Sequence, residues 1–161
     1  MSKKELKLAG LIWIIILFIQ TFMPAFRINQ MVIQPDLILV LVAFVALRYG
    51  GDFAIIFAFF NGLIQDFSTQ ESLLGILALS KSTTAYAFHF VQHYKTIWTR
   101  KIKLSSIFII FIFHNIIYFY FYLSGNFSLF LSGLFVIMIQ SIISFLIFLI
   151  IERILFKSKL I

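Results

Sequence analysis

Few side chains in this sequence could do chemistry, and each of them stands in an apolar setting. Asp36, Asp66 and Lys81 are the sharpest. A charge inside an apolar core or at membrane depth is costly, so each is a functional candidate. Asp36 directly follows Pro35 at the start of an apolar run, where a carboxylate accepts from the free N–H groups of a first helical turn. Asp66 closes the next run. There its charge opposes the helix dipole, so its own helix does not account for it, and a water-facing loop is the plain alternative. Lys81 lies within a fourth run, ahead of Ser82, Thr83 and Thr84. It either snorkels outward or pairs with Asp36 or Asp66. Two carboxylates and one lysine would make a structural hub or a small binding site.

The remaining polar residues point to packing. His89 and His93 have the i, i+4 spacing of metal ligands, but no third ligand or HExxH glutamate accompanies them. His114, Tyr118 and Tyr122 form a helical stripe with Asn115 beside it, and Gln140 and Ser144 form another. Such groups in apolar helices hydrogen-bond between helices. The sequence has no nucleophile–base pair, GxSxG or phosphate-cradling glycine loop. It has no cysteine, which excludes disulfides, thiolate metal sites and a cysteine nucleophile. The expectation is a protein that is not an enzyme and carries no cofactor or metal.

The elements that hold these residues follow from composition. The chain has 161 residues, of which 62% are apolar and 12% charged. A soluble domain is about half apolar and about a quarter charged, and a chain of this size cannot hide so much apolar surface in one core. The expected fold class is an all-α integral membrane protein, a single membrane domain of six transmembrane helices with both termini cytoplasmic. The spans read as approximately 8–26, 31–49, 53–66, 73–94, 104–123 and 127–156. The first is a retained helix ended or kinked near Pro24, since Met23-Pro24-Ala25 is a poor cleavage site. The second helix proper starts at Pro35 and ends near Arg48-Tyr49-Gly50-Gly51. The second and third are short for a membrane, so Met31–Gln34 and Phe67–Ser72 should pack inside the protein, or the helices dip partway. Ser124-Gly125-Asn126 separates the last two.

Charge sets the orientation. Of the 13 lysines and arginines, all but Arg27 and Lys81 fall in the termini and in the loops on one side. That side is cytoplasmic by the positive-inside rule, in a multi-pass protein of the bacterial inner membrane. The net charge of +7 is thus a topology signal and gives no support to nucleic acid binding. The segment HYKTIWTRKIK, from His93 to Lys103, fits an interfacial loop resting on membrane lipid.

The stretch from Gln34 to Phe90 carries a family resemblance. Pro35 and Asp36 open the second helix, and Arg48 and Gly50 form the turn after it. Gly62 and Asp66 follow, then Leu74, Gly75, Ala78, Leu79, Lys81 and Tyr86. This pattern resembles the bacterial rod shape-determining protein MreD family. The resemblance covers roughly a third of the chain, and the flanking helices match it in hydropathy alone. Ser80–Thr84 is more polar than the family pattern. The resemblance implies a scaffold subunit of the cell-wall elongation machinery that regulates cell shape and peptidoglycan synthesis. Its implied partners are an MreC-like single-span protein, MreB-like filaments, a RodA-like glycosyltransferase and a penicillin-binding transpeptidase. It also implies a fold similar to the S components of energy-coupling-factor transporters. That likeness supplies the alternative, a substrate-binding membrane component of a vitamin-type transporter, with its ligand near Asp36, Asp66 and Lys81. Pro35, Arg48 and Tyr86 join those three as candidate structural, ligand or partner residues.

Overall fold

The computed structural model describes residues 3–28, 31–69, 74–123, 131 and 133–156. Within them the chain forms helices α1 (Lys3–Thr21), α2 (Leu37–Tyr49), α3 (Gly51–Thr69), α4 (Ile76–His93), α5 (Arg100–Tyr122) and α6 (Leu134–Phe156). Between α1 and α2 the strands β1 (Phe26–Ile28) and β2 (Met31–Ile33) pair antiparallel, with Phe26 opposite Ile33 and Ile28 opposite Met31. The architecture is helical, and α5 and the stretch Leu134–Ile154 of α6 are long and apolar enough to cross a membrane.

Several boundaries differ from the sequence reading. The first helix ends at Thr21 rather than near Phe26, because the chain turns before Pro24 and then pairs as the hairpin. The second helix starts at Leu37, with Asp36 outside it as the N-cap, so Pro35 is not its first residue. The third helix runs past Asp66 to Thr69 and has 19 residues. In that last turn the Ser68 hydroxyl donates to the Ile64 carbonyl at 2.8 Å. The fifth helix begins at Arg100, four residues before the apolar run, so Arg100, Lys101 and Lys103 belong to its first turn. The sixth is described from Leu134 onward, and the Ser124-Gly125-Asn126 turn lies outside the described residues. Lys3, Lys4 and Lys7 are described in backbone alone, and Glu71 lies outside altogether.

Short connections force neighbouring helices to run antiparallel. Gly50 alone separates α2 from α3. Its φ of 85° is open to glycine and strained for other residues, and its N–H closes α2 on the Ala46 carbonyl at 3.2 Å. Small residues let the helices approach closely: Ala43, Ala46, Ala54, Ala58 and Ala85 are fully buried. Gly62 marks the tightest crossing, since a Cβ there would sit 2.4 Å from the Ala78 Cα, inside the backbone of α4. Aromatic rings fill the centre. Phe44 of α2 stacks on Phe148 of α6 at 4.7 Å between centroids, and Phe111 of α5 meets Phe148 and Phe88 of α4 edge-on. Apolar side chains also cover the outside. Phe53, Phe60 and Phe67 project from α3, and Phe135 and Ile154 from α6. Exposed large apolar side chains on several helices fit surfaces that face lipid or a partner.

The contacts sort the helix ends into two groups. Asp36, Lys81, Asp66, Gly75, Gln34 and Gln140 meet at the hairpin end. Gly50 approaches Gln92, Gly51 approaches His89, and Arg100 reaches Glu152 at the opposite, basic end.

Candidate functional site

The site at the hairpin end is built on the first turn of α2. The first four N–H groups at a helix start have no intrahelical acceptor. Asp36 satisfies one, its Oδ1 accepting from the Leu39 N–H at 2.8 Å. Gln20, from the last turn of α1, satisfies another, its Oε1 accepting from the Leu37 N–H at 2.8 Å. The Gln20 Nε2 donates to the Pro35 carbonyl at 3.0 Å, which fastens α1 to the start of α2. Gln34 extends the network. Its side chain donates to the Met23 carbonyl at 3.1 Å, and its own carbonyl accepts from the Gln140 side chain on α6.

The other Asp36 oxygen faces Lys81. The Lys81 Nζ donates to Asp36 Oδ2, which resolves the open choice of partner in favour of Asp36. Lys81 does not snorkel: it is 0% exposed, and Asp36 is 7% exposed. Thr84, one turn along α4, bonds the His114 Nδ1 of α5 at 3.1 Å and carries the polar seam to the next helix.

Asp66 takes a separate part. Its Oδ1 accepts from the Leu77 N–H at 3.1 Å, and its Oδ2 accepts from the Gly75 and Ala78 N–H groups at 3.1 and 3.2 Å. The carboxylate near the end of α3 is therefore the cap of α4. The unfavourable dipole of its own helix is offset by the favourable one of the next. Asp66 is fully buried and is not in a water-facing loop. Gly75 makes the approach possible with a φ of 99°.

The remaining candidates stand apart. Arg48 is at the far end of α2, its guanidinium 5.8 Å from the Tyr49 ring centroid. Tyr86 is half exposed and packs edge-on against Phe90. The His89 and His93 rings lie 6.2 Å apart, and among the described residues no three His, Asp or Glu side chains group as metal ligands. Asn115 bonds Ser141 at 2.9 Å between α5 and α6, and Tyr118 stacks on Tyr122.

Sequence reasoning missed Gln20, Gln34 and the buried Asn61, which accepts from the Trp13 indole at 2.6 Å. Each had a signal: an amide in an apolar run asks for a partner as a charge does. Beside the network lies a cavity of about 80 Å³ lined by Leu17, Gln20, Gln34, Ile38, Gln65 and Ser68, among others. Asp36, Asp66 and Lys81 are not among its lining residues.

Chemically, this arrangement ties helix ends together. Both Asp66 oxygens and both Asp36 oxygens are engaged, and the ammonium is sealed. No family model, curated protein or solved structure matches the chain.

Proposed function

We propose that the protein is a non-enzymatic scaffold subunit of the bacterial cell-wall elongation complex, as its resemblance to the MreD family implies. In this reading it is a six-span protein of the cytoplasmic membrane with both termini inside. Helix α2 is short, at 13 residues or roughly 20 Å, and the hairpin supplies the missing depth on the outer side. The partner is an MreC-like single-span protein; MreB-like filaments, a RodA-like glycosyltransferase and a penicillin-binding transpeptidase complete the assembly.

One observation carries the reading. Six residues of the resemblance, Asp36, Gly62, Asp66, Gly75, Ala78 and Lys81, fasten α2, α3 and α4 to one another, and the Pro35 carbonyl fastens the start of α2 to α1. That use suits a subunit whose task is to hold a rigid shape. The same helices leave Phe53, Phe60, Phe67 and Tyr86 exposed for a partner helix. Depletion in a rod-shaped host tests the proposal. Rounded cells with misplaced wall insertion are expected, and unchanged rods with normal insertion contradict it.

The resemblance also supplies a second reading, a substrate-binding component of a vitamin-type transporter, for which the cavity of about 80 Å³ beside Gln20 and Gln34 would have to open toward the roughly 300 Å³ of a small-molecule site. Its ligand would bind among α1, α2 and α3, away from the buried ion pair. Stabilisation of the purified protein by such a ligand would support it.

A further inference from the structure

The basic end carries a surface that the scaffold reading leaves unused. Between α4 and α5 the chain turns tightly over Tyr94–Trp98, and the Tyr94 N–H returns to the Phe90 carbonyl at 3.1 Å. The Tyr94 and Trp98 rings stack at 5.4 Å, with 13° between their planes. Ile97, between them in sequence, is 76% exposed. Lys95, Arg100 and Lys101 are exposed around this apolar tip, and Lys103 is half-buried.

Among the described side chains, cations outnumber carboxylates at this end. No Asp or Glu occurs from Ser72 to Ile151. Glu152 reaches Arg100 at 3.7 Å from a buried position. Exposed Asp52 lies at the same end, where exposed Arg48 and Arg153 add further positive charge. Three cations in the first turn of α5 also face the positive end of its dipole, and Thr99 supplies no side-chain cap. An anion beyond the helix start would relieve this repulsion. A flat aromatic stack and one projecting aliphatic side chain fit the boundary between headgroups and acyl chains.

We propose that the α4–α5 turn docks on anionic phospholipid, with Lys95, Lys101 and Lys103 on the lipid phosphates and Ile97 inserted between headgroups. This rests on the reading of α5 and α6 as membrane spans. The lipid pins the turn and the start of α5 to the membrane surface.

The full chain in nanodiscs tests this by amide hydrogen exchange over residues 93–104. One disc contains phosphatidylcholine alone and the other about one third phosphatidylglycerol. Slower exchange is expected in the anionic disc. The Lys95→Gln, Lys101→Gln and Lys103→Gln changes should each reduce that preference about fivefold. Lys3→Gln, Lys4→Gln and Lys7→Gln should leave it in place. Equal exchange in both discs, or equal loss with the N-terminal changes, overturns the proposal and leaves the scaffold reading standing. The same protection from inorganic phosphate in detergent overturns lipid as the source of the anion. Failure of the chain to enter either disc overturns both this proposal and the membrane reading.

Discussion

Lys81 is the residue on which most of the site depends, and its burial decides what its loss would do. Two charges taken out of water gain little net stability from each other, but removing one leaves the other buried and uncompensated, at about 3–5 kcal/mol. Lys81→Met is expected to destabilise the protein by that order in a thermal-unfolding measurement in detergent. Asp36→Asn retains an acceptor for the Leu39 amide yet strands the ammonium, so it should cost nearly as much. The double variant should then cost clearly less than the sum of the two. Additive effects would mean that the residues do not pair. Asp66→Ala removes the acceptor for three amides at the start of α4, two of them buried, at about 1–3 kcal/mol or more. Its exchange signature should be confined to the first turn of α4. The candidates themselves were legible because a charge in an apolar run is conspicuous. The choice between Asp36 and Asp66 was not, because it depends on α3 continuing past Asp66 far enough to aim that carboxylate at α4.

Two glycines separate the elements of the bundle by different physics. At Gly62 the obstacle is space: a Cβ would lie 2.4 Å from the Ala78 Cα and 2.6 Å from its nitrogen. Gly62→Ala should push α3 from α4 and cost about 1–3 kcal/mol. Ala78→Gly should not rescue it, since the clash is with backbone. At Gly75 the surroundings are open, with nothing within 4 Å of the added Cβ, and the obstacle is the φ of 99°. Gly75→Ala should cost about 1 kcal/mol, and Gly75→Asn less, because asparagine tolerates left-handed backbone better. Thermal unfolding of the four variants checks both statements. At this scale the helices follow apolar runs closely, since hydropathy reports burial and lipid exposure alike. The hairpin was hidden because five of its six strand residues between Pro24 and Pro35 are apolar and look like a continuation of the helices on either side. Arg100, Lys101 and Lys103 were assigned to a loop by charge, whereas helix geometry carries α5 through them.

Seen whole, the molecule has one end closed by a buried ion pair, amide caps and a hairpin, and another that is basic and exposed. The absence of cysteine makes this polarity directly testable. Single cysteines at Thr96 and at Phe26 should label from opposite sides of a sealed membrane, and labelling from one side alone would contradict the spanning arrangement. That both kinds of end exist was legible in the distribution of lysine and arginine. What binds the outside was not, because exposed phenylalanine reads the same whether lipid or a partner helix covers it. The scaffold claim is tested most directly by purifying the full chain from its membrane in mild detergent and identifying what comes with it. A single-span cell-wall protein in near-equal amount is expected. A retained small molecule with no such protein would contradict the scaffold claim.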